Sequence, residues 1–200
     1  MRSKRGFTLV ELMIVVVILG VLAAIAIPLY MKFVGASKAG EARVNLGKIA
    51  SLLERYYVVR SSDSTSSTVA VGISSAMVAQ FPQNNAMECI TGGTGQQRVP
   101  NDMALVRQKH YTPAESDWMG PAGAPYAWSM IPFTITQPIS YQYCYHGDGT
   151  GTDSRFFVGA FGDVDGDGAF SSFRRAGRVL CASGGCAPTL GNMIVENEAE

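Results

Sequence analysis

The sequence has little charge and no excess of either sign: 16 Lys and Arg balance 16 Asp and Glu, and charged residues make up 16% of the 200-residue chain. That balance gives no reason to expect the broad cationic surface that nucleic acid binding requires, so such a partner is unsupported at this level. Histidine is scarce as well, with only His110 and His146. Neither lies in a nucleophile, metal or phosphate-loop motif. A Cys144–His146 thiol pair would need a reduced Cys144, and residues two apart share a strand face whatever their purpose. The chain is therefore read as having no catalytic residues and requiring no cofactor.

Charge is also missing from the 25 residues Phe7 to Met31, where Glu11 is the only charged side chain. As a helix this run is about 37 Å long, enough to cross a hydrocarbon core of about 30 Å. It is too long for an ordinary signal peptide, and no small-residue cleavage site follows Ile27. Arg2, Lys4 and Arg5 stand before it and favour a cytoplasmic amino end, which sends everything after Lys32 outward. The rest is mildly acidic, with 13 Lys and Arg against 16 Asp and Glu. With 47% apolar residues overall, the chain supports one globular unit of roughly 140 residues beside this membrane segment.

A carboxylate one turn inside an apolar span is costly and usually marks a pairing. No other side chain in the span is charged, so a cation for Glu11 has to come from another molecule or from a new amino terminus made by proteolysis. Cleavage after Gly6 would make Phe7 that terminus. These residues, GFTLVEL after a basic leader and then an apolar helix with Pro28, resemble the class III signal of type IV pilins and pseudopilins.

The resemblance implies that a prepilin peptidase cleaves between Gly6 and Phe7 and that the exposed amine of Phe7 is N-methylated. It implies that Glu11 pairs with the terminal amine of a neighbouring subunit during assembly, and that the stretch between Gly20 and Pro28 loses helical order in a filament. Pro28 by itself removes a backbone hydrogen bond and weakens the helix. The partners implied are further copies of the chain in a helical filament, the peptidase, the inner-membrane assembly machinery, and the membrane for the precursor. The expected function is a structural subunit of a type IV pilus, major or minor, serving adhesion, motility or DNA uptake. The expected location is a single-pass inner-membrane precursor and then an extracellular filament. A pseudopilin of a type II secretion system, in a periplasmic pseudopilus, is the alternative within the class. An uncleaved, membrane-anchored calcium-binding domain is the alternative outside it.

Beyond Lys32 the pattern becomes amphipathic. Ala42, Leu46, Ile49, Leu53 and Tyr56 fall at spacings of 4, 3, 4 and 3, giving one apolar helix face, while Lys38, Glu41, Arg43, Lys48, Glu54 and Arg55 lie largely off that line and stay wet. The division expected is a leader at 1–6, a membrane or filament-core helix at 7–33, the amphipathic half of the same helix at 34–60, and a head at 61–200. Within the head, 61–138 reads as loops and 139–180 as an antiparallel meander. SSDSTSST, from Ser61 to Thr68, reads as a loop. Val69 to Ile73 and Tyr126 to Ile131 read as short strands in a region broken by seven prolines between Pro82 and Pro138.

Ile139, Tyr141, Tyr143 and Tyr145 alternate with polar residues and Cys144, as in a half-buried strand. Turn-rich HGDGTGTD and GDVDGDG then separate Arg155–Phe161 and Ala169–Arg175, two further strands. A long helix packed on that sheet is an α+β, pilin-like fold. In DVDGDG, Asp163, Asp165 and Asp167 occupy positions 1, 3 and 5 of an EF-hand-like loop, with a carbonyl from Ala169 and a hydroxyl from Ser171 further on. Position 12 is Arg174 in place of a bidentate Glu, which rejects a full EF-hand and leaves a looser structural calcium site. Arg174, Arg175 and Arg178 form a small basic cluster, read as a solvated strand end.

Cys89, Cys144, Cys181 and Cys186 point to two disulfides in an oxidising compartment, with three pairings open. Cys181–Cys186 with Cys89–Cys144 is preferred, because two glycines ease the short CASGGC loop and because the resemblance implies a disulfide near the carboxy terminus. A four-cysteine zinc site does not match these spacings.

Overall fold

A computed structural model of the chain describes residues 6–66, 80–84, 89, 91–95, 97–120, 127–183 and 185–198. Its first element is one helix, α1, over Leu9–Ser66. Thr8 starts it, since the Thr8 carbonyl accepts from the Leu12 N–H at 3.3 Å. Pro28 lies inside α1 and leaves the Ala24 carbonyl without its helical donor, yet the helix does not end there. All residues from Gly6 to Phe33 are exposed, so among the described residues nothing covers this apolar length.

The helix runs past the expected end near residue 60, so the first six residues of SSDSTSST are helical. Extending an existing helix adds one hydrogen bond for each residue fixed, which offsets the weak propensity of Ser and Asp. Thr68 and the expected strand Val69–Ile73 lie outside the described residues.

The amphipathic half behaves as its periodicity requires. Ala42, Leu46, Ile49 and Leu53 are fully buried, together with Ala39, Ala50 and Tyr57. Burying Leu46, Ile49 and Leu53 alone stabilises the helix–head contact by roughly 5–9 kcal/mol as an upper estimate. The last contact of the stripe is Tyr57 rather than Tyr56. The Tyr57 ring meets Phe81 at 5.1 Å, and Phe81 meets Phe156 edge-on at 4.8 Å, whereas Tyr56 stays half-buried under the Arg60 guanidinium. Glu41 is likewise half-buried instead of wet.

Among the described residues the head is an antiparallel sheet of six strands in the order β1–β2–β3–β4–β5, with β6 also paired to β4. The strands are β1 (Arg98–Val99), β2 (Gln142–Asp148), β3 (Arg155–Gly162), β4 (Ser171–Ala182), β5 (Gly185–Leu190) and β6 (Ile194–Glu196). A helix lying on an antiparallel sheet makes this an α+β fold. Tyr143 opposes Ala160, which opposes Phe173, so these three share the face that meets α1.

The second strand is buried on both faces, not one. Gln142 and Cys144 are covered too, because the Gln142 amide donates to the Gly93 and Pro100 carbonyls and Cys144 is disulfide-bonded. Ile139 lies before β2 and bridges Tyr111. The expected strand at 126–131 is instead a helical turn, α3 (Ala127–Met130). A short apolar run does not distinguish the two states. Here tertiary contacts decide: the Trp128 indole donates to the Gln97 carbonyl at 3.1 Å and packs edge-on against Trp118 of α2 (Glu115–Met119) at 5.1 Å.

Candidate assembly segment and acidic loop

The amino end of α1 is a reciprocal cap. Thr8 donates its backbone N–H and its hydroxyl to the Glu11 carboxylate at 2.9 and 2.7 Å, and the Glu11 N–H donates to Thr8 Oγ at 3.3 Å. Two of the amide groups that a helix start leaves open are thereby satisfied. Glu11 is fully exposed and engaged within its own chain by Thr8. Gly6 and Phe7 precede the helix, and Phe7 is 84% exposed. A side chain at Gly20 would meet nothing within 4 Å, so packing inside one subunit does not demand glycine there. The T-x-x-E spacing of Thr8 and Glu11 is a capping box legible in the sequence, a local partner for Glu11 that the search for a cation overlooks.

Asp163, Asp165 and Asp167 follow β3 and bring one carboxylate oxygen each within 4.8 Å of one another. The loop itself holds them. Asp163 accepts from the Gly166 N–H at 2.7 Å, Asp165 from Asp167 N–H at 3.2 Å, and Asp167 from Ala169 N–H at 2.7 Å. Asp163 is fully buried while the other two are exposed. Its Oδ2 accepts no well-aligned hydrogen bond, and what faces it is the Arg107 Nε at 2.6 Å. Next to Arg107, Gln108 donates its N–H to the Asp163 carbonyl and its side-chain amide to the Asp165 carbonyl, at 3.1 and 2.6 Å. Gly166 has φ +83°, and a Cβ there would overlap the Gln108 side chain.

Of the metal-ligand set expected from sequence, the three carboxylates converge, Ala169 donates its N–H to Asp167, and the buried Ser171 hydroxyl, at the start of β4, lies 3.2 Å from the Gly162 carbonyl oxygen and 3.0 Å from the Tyr141 hydroxyl. Arg107 supplies positive charge to Asp163 from a segment 56 positions away in the chain, a distance at which no local sequence pattern points to the pairing.

Disulfides join Cys89 to Cys144 and Cys181 to Cys186. The first ties the loop before β1 to β2. The second bridges directly opposed residues of β4 and β5. Oxidised Cys144 is no nucleophile for His146, and His110 Nδ1 lies 3.1 Å from the Ser140 hydroxyl. The arginines of β4 do not form one cluster: Arg174 pairs with Glu196, Arg175 donates to the Gly191 carbonyl, and Arg178 opposes Arg155.

Residues 1–27 match the family model described as the prokaryotic N-terminal methylation motif. The chain is similar to the type IV major alpha-pilin of Moraxella bovis, with 37% identity over 95 residues covering 45% of this chain and 60% of that protein. It is similar to the type IV major pilin protein PilA of Myxococcus xanthus, with 53% identity over 54 residues, 27% of this chain and 24% of the relative. The type IV major fimbrial protein FimA of Dichelobacter nodosus shares 45% over 51 residues, 26% of this chain and 33% of the relative. The chain therefore spans from a quarter to three-fifths of the length of these relatives. No solved structure matches it.

Proposed function

We propose that this chain, pilin-type by its amino-terminal motif and its relatives, is a structural subunit of a type IV pilus filament. The observation that carries this reading is α1 itself: an apolar helix exposed from Leu9 to Phe33, with one carboxylate at its start and a globular head on its second half. Exposed apolar area of that extent has to be covered. In the precursor the inner membrane covers it, and in the filament the same residues of other copies do. A prepilin peptidase cleaves between Gly6 and Phe7, Phe7 is N-methylated, and inner-membrane machinery draws the subunit into a homo-oligomeric helical filament outside the cell, for adhesion, motility or DNA uptake. Glu11 exchanges its Thr8 cap for the Phe7 ammonium of a neighbour, a pairing that strengthens in apolar surroundings. The weakened stretch from Gly20 to Pro28 lets the helix extend.

Mass spectrometry of the amino-terminal peptide tests this, run separately on material sheared from cells and on membranes. A methylated peptide beginning at Phe7 and abundant in the sheared fraction is expected. The same peptide confined to membranes would point to a pseudopilin, and an intact leader in both fractions would overturn the reading.

A structural calcium ion at Asp163, Asp165 and Asp167 is a second, independent reading, favoured by the convergence of three carboxylate oxygens. Arg107 already offsets one of the three charges, so the ion would add stability to a loop that is held without it.

A further inference from the structure

The face of the sheet that carries Phe157 has a cleft of about 580 Å³ that none of the roles above uses. Its size falls in the range of about 300–1,000 Å³ typical of small-ligand sites. Phe157 of β3 and Ala176 of β4 sit directly opposite each other there, and Ile194 of β6 closes one side. Phe157 is 46% exposed and Ile194 56%, so the cleft presents apolar surface to solvent.

Polar groups stand at both ends. Arg155 pairs with Asp148 at 2.7 Å at one end, and Arg174 pairs with Glu196 at the other. Each pair offers planar donors and acceptors. Arg175 also borders the cleft, with its Nε committed to the Gly191 carbonyl at 3.2 Å.

We propose that this cleft binds a saccharide unit. A sugar ring has a C–H face that packs on Phe157 and Ile194, and around it hydroxyls that both donate and accept. That ring of hydroxyls matches two ion-paired ends better than any ligand of one polar character. The site lies on the opposite side of the sheet from Tyr143, whose hydroxyl faces α1. The inference does not depend on filament assembly.

Saturation-transfer NMR on the full chain in nanodiscs tests it, with methyl glycosides of glucose, galactose and N-acetylglucosamine as probes and 2-naphthoate as an apolar control. The expected result is transfer to at least one glycoside at millimolar concentration, strongest at its ring C–H protons. Phe157→Ser and Arg174→Gln should each weaken that binding about tenfold. Ala176→Trp, which fills the cleft and leaves both ion pairs in place, should abolish it, with circular dichroism unchanged as evidence of folding. No transfer to any glycoside overturns the proposal, and so does transfer that survives Ala176→Trp or that empty nanodiscs reproduce. Binding of naphthoate with exclusion of all three glycosides overturns it as well.

Discussion

The Tyr143 hydroxyl, buried in the middle of the sheet, donates to Glu41 Oε1 at 3.1 Å and accepts from Asn45 Nδ2 at 2.8 Å, tying β2 to α1 across about a hundred residues. The Ser140 N–H adds a longer bond to the same carboxylate oxygen at 3.4 Å. Burial pushes the Glu41 carboxyl above the ordinary 4.5, and the bonds from Tyr143 and Ser140 and the nearby His110 offset only part of that rise. The folded state therefore prefers neutral Glu41 more than the unfolded state does. Its favourable contribution is complete below about pH 4.5 and is lost as pH rises through the raised folded value. Glu41→Gln keeps an acceptor and removes the titration. Denaturant titrations between about pH 4 and pH 7 should show wild type losing stability relative to Glu41→Gln as pH rises. Parallel profiles for the two proteins would refute the assignment. Tyr143→Phe should cost about 1–3 kcal/mol at any pH in that window, because it leaves the buried Asn45 amide without its acceptor.

Arg107 and the DVDGDG loop give a second test. Removing the cation that faces a fully buried carboxylate leaves Asp163 uncompensated, so Arg107→Ala should destabilise the chain by about 3 kcal/mol, the lower end for such pairs because Arg107 is half exposed. Calcium should then recover part of that loss. Thermal melts of wild type and Arg107→Ala, each with calcium and with chelator, read both effects. A calcium shift is expected to be larger in the variant, and replacing Asp163, Asp165 and Asp167 by Asn should erase it. Melts that do not change between calcium and chelator in either protein would remove calcium from the account.

Much of this architecture is legible in the sequence wherever a periodic pattern is long. The apolar run from Phe7, the 3.6-residue stripe through Ala42, Leu46, Ile49 and Leu53, and the alternation through Tyr143 and Tyr145 each repeat a local rule several times, so one exception does not blur them. The failures fall where a contact from far along the chain decides. Trp128 turns helical because Gln97 accepts from its indole. Gln142 is buried because Gly93 and Pro100 accept from its amide. Glu41 lies off the apolar stripe, where periodicity alone leaves it wet, yet Tyr143 draws it half inside. The acidic loop shows both sides, since DVDGDG announces three converging carboxylates and gives no sign that Arg107 stands against the first.

The two disulfides should differ in worth. Cys89–Cys144 closes a loop of 55 residues and Cys181–Cys186 one of 5. If loop closure in the unfolded chain dominates, losing the first costs about 4 kcal/mol and losing the second about 2. Chemical denaturation of the two double Cys→Ala variants measures the gap directly. Equal losses would show that closure entropy does not govern here.

The Thr8–Glu11 cap makes the assembly mechanism testable in a way that separates it from helix stability. Among the described residues Glu11 caps α1, and losing a cap costs about 1 kcal/mol in this helix of 58 residues. Glu11→Ala should therefore leave the precursor inserted and cleaved between Gly6 and Phe7. If Glu11 also pairs with the Phe7 amine of a neighbour, the same substitution leaves an ammonium without its counter-charge in an apolar bundle, and incorporation into filaments should fall to a small fraction of wild type. Glu11→Gln discriminates further, because its amide oxygen still accepts from the Thr8 N–H and preserves the cap while removing the charge. Cap loss alone predicts normal filaments from Glu11→Gln, and charge pairing predicts almost none. Shear yields of the two variants, with leader removal checked by mass on the same cells, decide between them.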